Sequence, residues 1–298
     1  MNRISPAPAM LLAALWLAAP AALAEQKIDQ WADAHPRGEV EISNVSGKVS
    51  VTGWDEDRVH VTGALEDDVE RLEFRSDGKY TLIKVILPRG NVRHGDATLA
   101  VSVPRGSRLT VGTVSADIDV GEVEGALRLQ SVSGDVETQA FGEDVRVQTV
   151  SGDVGVRGRG ETSLVTVTTV AGDARVADVG GELVVQTVTG DLEATASSVE
   201  RARINTTNGE ATLATALAQG ARVEMETING DLTLVLRGEV DAEFDVETFN
   251  GRIDSEFGPK PERTSEFAPG LELRFTEGAG SSRVVMESLN GGIIIRRD

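Results

Sequence analysis

The residues best placed to do chemistry together are seven acids that recur at near-constant intervals: Asp117, Asp135, Asp153, Asp173, Asp191, Glu210 and Asp231. Six of them follow a glycine, and the Gly-Asp pair suits a tight turn whose carboxylate accepts local backbone N–H groups. Stacked at strand spacing, about 4.8 Å, neighbouring carboxylates repel by about 0.9 kcal/mol in bulk water and about 3.5 kcal/mol at an effective dielectric of 20. The column must therefore be hydrated, hydrogen-bonded or bound to cations. Calcium is the cation that carboxylate oxygens suit, with Asp135, Asp153, Asp173, Asp191 and Asp231 as ladder candidates. The nine-residue Gly-Gly-x-Gly-x-Asp repeats of calcium β-rolls are absent. No resident metal or other cofactor is expected.

Other chemistry finds little support. Between Thr113 and Arg252 there is no His, Lys, Trp or Tyr, which removes the usual general bases and sugar-stacking rings from most of the chain. His35, His60 and His94 lack metal-ligand spacing, and no glycine-rich phosphate loop precedes a helix. The expectation is a protein that is not an enzyme, with no catalytic residues. A polysaccharide-active β-helix enzyme and a cation-stabilised envelope assembly module are the alternatives.

A repeat must position the acids. Glycines recur at 134, 152, 172, 190, 209, 230 and 251; Ala116 and Gly291 fall in phase, and Gly47 marks an early copy. Seven and five residues before these anchors, every position is apolar, from Val40 and Ile42 through Val145 and Val147 to Val284 and Met286. Two residues after them come Val49, Ile118, Val136, Val154, Ala174, Leu192, Ala211, Leu232, Ile253 and Ile293. Polar residues alternate between, so each copy reads as strand, turn, strand with one dry face.

A period of 18 to 21 residues is too short for a strand plus a helix, but it fits one coil of a β-solenoid. The predicted fold is all-β: a parallel β-solenoid (β-helix), right-handed by the general preference of parallel crossovers. Two polar columns accompany the core. Three residues before the anchor, Asn44, Thr113, Ser131 and their successors point inward as a structural hydroxyl ladder. Immediately before it, Ser46, Ser115, Ser133 and Ser151 give way to Asn208, Asn229, Asn250 and Asn290, which suits amides stacked along the coils.

The non-repeating parts divide the chain. Residues 1–24 read as a signal peptide, with an apolar run from Met10 to Leu17 and the small-x-small pattern Ala22-Leu23-Ala24, so cleavage near Ala24 leaves Glu25 first. Pro6, Pro8 and Pro20 keep the apolar run short of the roughly 20 residues of a membrane span. Residues 25–38 read as a flexible leader and 39–112 as irregular coils with a hairpin cap around Asp77-Gly78. Residues 113–298 read as regular solenoid interrupted by a loop at 257–270, with Ile293–Ile295 and the charged C-terminus covering its end.

The chain has 298 residues, no cysteine, and 48 acidic against 29 basic side chains, for a net charge of -19. Disulfides are excluded, and the acidity opposes nucleic acid and anionic lipid. Expected is an exported monomer, periplasmic or extracellular, with no membrane span in the mature chain. Its partner would be an envelope or extracellular protein or glycan.

The segments Ser-Val-Ser-Gly-Asp-Val, Thr-Val-Thr-Gly-Asp-Leu, Thr-Ile-Asn-Gly-Asp-Leu and Ser-Leu-Asn-Gly-Gly-Ile, with Val-Ser-Val-Pro-Arg-Gly at 101–106, resemble the bacterial putative-adhesin family of unknown function over residues 40–298. The resemblance implies a repeat-rich β-helix and a non-catalytic adhesin or envelope interaction scaffold. It supplies no catalytic residues to carry over. Lys48, Ala116, Arg252 and Gly292 depart from the pattern near the ends of the repeat run and touch the acidic column and its anchor rather than the core.

Overall fold

The computed structural model describes residues 26–88, 90, 95–265 and 269–298; the signal peptide and His94 lie outside the described residues. Strands dominate because Val, Leu, Ile and Thr alternate with polar residues, which lets a pleated strand bury one face and wet the other.

Two ladders of parallel strands carry the repeat. In the first, Leu109, Leu127, Val145, Val165, Leu183, Ala202, Val223, Val284 and Phe244 pair in succession, each with its counterpart on the next coil. In the second, the succession is Ile118, Val136, Val154, Ala174, Leu192, Ala211, Leu232, Ile293 and Ile253. All of these side chains are buried, and they belong to a single aliphatic core. The expected inward columns thus stack on themselves in register, and the chain is all-β and solenoid-like.

The order of coils differs from the order of sequence at one place. The C-terminal coil, Ser282–Asn290 and Ile293–Arg297, was expected at the end of the stack but sits inside it. It pairs on one side with Leu217–Asn229 and Leu232–Leu236, and on the other with Ala242–Asn250 and Ile253–Ser255. The outer edge of Ala242–Asn250 is taken by Leu271–Glu277, which runs antiparallel to it. The returning chain therefore occupies the inner edge. The expected loop at 257–270 contains the short strand Glu262–Arg263, paired with Leu271–Glu277, and its residues 266–268 lie outside the described residues.

At the other end the early copy is a direct neighbour of the main stack: Glu39–Trp54 pairs residue for residue with Arg108–Gly121, so that Gly47 faces Ala116. The expected hairpin is present as Arg71–Ser76 against Tyr80–Ile86, and Tyr80–Ile86 continues the first ladder beside Glu39–Trp54. Its turn is closed by Asp77 Oδ1, which accepts the Lys79 and Tyr80 N–H groups at 2.9 and 2.8 Å.

The leader is a correction. Gln26–Asp33 forms a strand antiparallel to Arg58–Leu65, which in turn lies antiparallel to Asp96–Pro104. Only Ile28 of that strand is buried. It is held at an edge by its backbone, and such a strand needs no apolar alternation.

Candidate interaction surface

The two ladders meet at a corner that carries every conspicuous column of the sequence. The inward hydroxyls there are buried; several bond to turn backbone, while Thr149, Thr169 and Thr227 Oγ1 have no hydrogen-bond partner among the described residues. Thr113 Oγ1 lies 2.9 Å from the Ala116 carbonyl oxygen, Gly134 N–H donates to Ser131 Oγ at 2.8 Å, and Thr248 O–H donates to the Gly291 carbonyl at 2.9 Å. Only Thr113 and Ser131 touch hydroxyl to hydroxyl among these bonds, at 3.1 Å. The column is a set of turn anchors more than a continuous ladder.

The acidic column is a hydrogen-bond ladder between coils. Asp117 Oδ1 accepts the Asp135 N–H at 3.1 Å, Asp135 that of Asp153, Asp153 that of Asp173 and Asp173 that of Asp191, the last three at 2.9 Å. Asp191 accepts from Glu210 at 2.8 Å, and Asp231 from Gly292 at 2.6 Å, because the C-terminal coil is its neighbour. The acceptor function expected of these carboxylates is there, but it serves the next coil rather than their own turn. The calcium candidates Asp135, Asp153, Asp173, Asp191 and Asp231 each have an oxygen engaged in this way. Among the described residues no three His, Cys, Asp or Glu side chains group so as to hold a metal ion.

Asp153→Ala removes an acceptor from the Asp173 N–H and should cost about 1.5–3 kcal/mol, the range of hydrogen bonds to charged groups. Asp153→Asn keeps an oxygen in place and should cost less than half as much. Urea unfolding of the two variants checks the order; equal losses would count against the ladder.

The asparagines form a second ladder that follows the spatial order of coils. Asn229 Nδ2 donates to Asn208 Oδ1 at 2.8 Å, Asn290 to Asn229 at 2.9 Å and Asn250 to Asn290 at 2.9 Å. The amide chain runs through the inserted coil without a break.

Two residues before the anchor lies the column that sequence reasoning missed. Val114, Val132, Val150, Val170, Val188, Ile228, Phe249 and Leu289 are each 46% to 48% exposed, and they line up along the outside of the corner. The signal was present: three residues before the anchor points inward, so the next residue points out, and an apolar residue there repeats in coil after coil. Isolated exposed apolar side chains are ordinary, but a run of five from Val114 to Val188 and, past Thr207, a run of three through Ile228, Leu289 and Phe249 are not.

Near the C-terminal coils this stripe forms one wall of a groove of about 600 Å³. Ile228, Leu289 and Phe249 stand on one side and Glu226, Glu287 and Glu247 on the other, with Thr227 and Ser288 between them. The three glutamates are cross-strand neighbours in the order Glu226, Glu287, Glu247. Among the described residues none of the three has a Lys or Arg nitrogen within 4 Å, whereas Glu224 accepts from Arg203 Nε at 3.0 Å. Partial burial, then the adjacent Glu224 and Glu287 carboxylates, push the Glu226 carboxyl above its ordinary range.

The sign follows from linkage. A carboxyl whose folded pKa is raised favours the folded chain when protonated, so its contribution is present below the unfolded pKa and is lost as pH rises through the folded pKa. Glu226→Gln should therefore raise the melting temperature by about 1–2 °C at pH 7, with the gain vanishing toward pH 4. Thermal unfolding across that range checks it.

The remaining cluster is aromatic and sits at the N-terminal end. Trp31 stacks on His60 with ring centroids 3.4 Å apart and on Trp54 at 5.7 Å, and His60 Nε2 lies 2.9 Å from Asp29 Oδ1. His35 is separately engaged, its Nδ1 accepting the Arg37 N–H at 3.1 Å. Among the described residues no helix is long and apolar enough to cross a membrane.

A family profile described as Toastrack DUF4097 matches residues 37–245, well over half of the chain. The chain belongs to this family. The Toastrack DUF4097 match agrees with the resemblance read from the Gly-Asp repeats, and it stops short of the C-terminal coil that pairs within it. Among solved structures, the chain is similar to a putative adhesin from Bacteroides fragilis, at 9% identity and a TM-score of 0.45, covering 92% of this chain and 98% of that one. It is also similar to a putative adhesin from Parabacteroides distasonis, at 9% identity and 0.34, covering 92% and 97%, and to a putative cell adhesion protein from Clostridium sporogenes, at 10% and 0.21, covering 92% and 100%. No curated protein matches the chain. The fold of this Toastrack DUF4097 chain rests on its strand register, not on these likenesses.

Proposed function

We propose that the protein is an exported, non-catalytic, adhesin-like scaffold: a right-handed solenoid that displays its apolar corner stripe to a partner in the envelope or beyond it. The single observation that carries this is the column of exposed apolar residues, Val114 to Val188 and, past Thr207, Ile228, Leu289 and Phe249, on a chain that buries its other aliphatic columns. Contiguous exposed apolar surface marks interaction sites, and a stack of coils holds such a row rigid over many repeats. Export is supported by the apolar run and the Ala22-Leu23-Ala24 pattern. The hand follows from the preference of parallel crossovers.

The test joins location to binding. A tagged chain is expected in the periplasm or medium with Glu25 at its N-terminus. The purified protein should bind an isolated cell-envelope fraction, and the stripe variant Val132→Ser/Val150→Ser/Val170→Ser should bind it at least tenfold less. Equal binding by variant and parent would overturn the surface assignment, and release of products from acidic glycans would overturn the non-catalytic one.

A further inference from the structure

Near the C-terminal coils the corner is amphipathic. Glu226, Glu287 and Glu247 face Ile228, Leu289 and Phe249 across the groove, so one wall is anionic and the other apolar. The glutamates sit on adjacent strands, hence about 4.8 Å apart, where like charges repel by about 1 kcal/mol per pair in water and more where solvent is excluded. None of the three forms an ion pair within the chain among the described residues, so they are complementary to a cation brought from outside. Three guanidinium groups on these and the flanking strands pair with other acids: Arg203 with Glu224, Arg274 with Asp245 and Glu272, and Arg283 with Asp245.

The two walls ask for one ligand with cationic and apolar groups on opposite sides. An extended peptide has this property, because its successive side chains point in opposite directions. Between Gln186 and Glu247 the groove crosses five strands, about 19 Å, a length that about six extended residues span at 3.3 Å each. A second copy of this chain is a poor occupant, since its net charge of -19 meets an anionic wall. A bare divalent cation leaves the apolar wall unused.

We propose that this groove binds an extended segment of a partner protein in which Lys or Arg alternates with apolar residues, the cations lying on Glu226, Glu287 and Glu247 and the apolar side chains on Ile228, Leu289 and Phe249. The proposal rests on the corner being an interaction surface and names the chemistry of what it takes.

Fluorescence anisotropy of the full chain with a labelled octapeptide of four Lys-Val repeats tests it. Saturable binding is expected, weakened at least tenfold by E226Q/E287Q/E247Q, by Phe249→Ser, and by replacing every Val of the peptide with Ser. The distant triple variant E66Q/E124Q/E143Q removes the same charge and should leave affinity within twofold. Absence of binding, equal binding of the Lys-Ser peptide, or an equal loss in the distant variant would overturn the proposal, the last two by showing general attraction to an acidic protein. Thermal unfolding verifies that each variant is folded, and the milder Phe249→Leu, which keeps an apolar wall, should retain binding. If the peptide fails while the stripe variants still lose the envelope fraction, only the occupant is wrong. If the stripe variants lose nothing, the surface itself is wrong.

Discussion

Gly230→Ala is expected to destabilise the protein by roughly 4 kcal/mol, near the upper end for a point substitution. A β-carbon on Gly230 would sit 1.9 Å from the Gly209 carbonyl oxygen, and the residue's φ of 151° is itself awkward for a side chain. The clash is with backbone, so no rotamer change relieves it, and coils would have to separate at a corner that also carries the asparagine ladder. The same contact recurs down the stack: a β-carbon on Gly190 meets Gly172, one on Gly291 meets Gly230, and one on Gly251 meets Gly291. Ala116 is the one anchor that carries a β-carbon; it lies on Arg108–Gly121, beside Gly47, and is not among the residues with positive φ. Gly112→Ala is the control, since its β-carbon meets nothing within 4 Å; it should change stability by no more than about 0.5 kcal/mol. Urea midpoints of the two variants decide the matter, and similar values would refute a steric origin for the glycine column.

Removing residues 282–298 is expected to do more damage than removing an ordinary terminal coil. In a stack, an end coil forfeits one interface, whereas this one separates two coils and forfeits two. Leu232 and Ile253 would lose the side chain of Ile293 between them, and the N–H groups of Gly230 and Leu232 would lose the carbonyls of Asn290 and Gly292. Limited proteolysis should cut the truncated chain between Arg237 and Ser281, with coils up to Leu213 remaining protected. A truncated chain as resistant and as thermostable as the parent would show that the gap closes without cost.

Much of the core was legible because strand parity is a strong physical constraint. Once Leu127 and Leu129 are known to face in, Arg128 must face out, and the repeat carries that assignment to every coil. The order of the coils was not legible. Val284 and Phe244 are equally good neighbours for Val223, since each column offers similar aliphatic side chains, so periodicity fixes which face is dry without fixing which rung comes next. The Gln26–Asp33 strand was invisible for the opposite reason, being an edge strand with one buried residue and an otherwise polar face. At the corner, the roles of Asp and Asn could be read from their chemistry. Val150 and Ile228 were overlooked because an apolar residue in a strand protein is naturally assigned to the interior, and only the parity count places it outside.

The inserted C-terminal coil also sets a schedule. A chain made from its N-terminus can add rungs in order as far as Leu236, but the rung that belongs next, Ser282–Asn290 with Ile293–Arg297, is made only after Ala242–Asn250. Ala242–Asn250 cannot reach its final neighbour until Ser282–Asn290 has arrived, so a chain that has grown only as far as Ser255 carries an open seam that later strands must close.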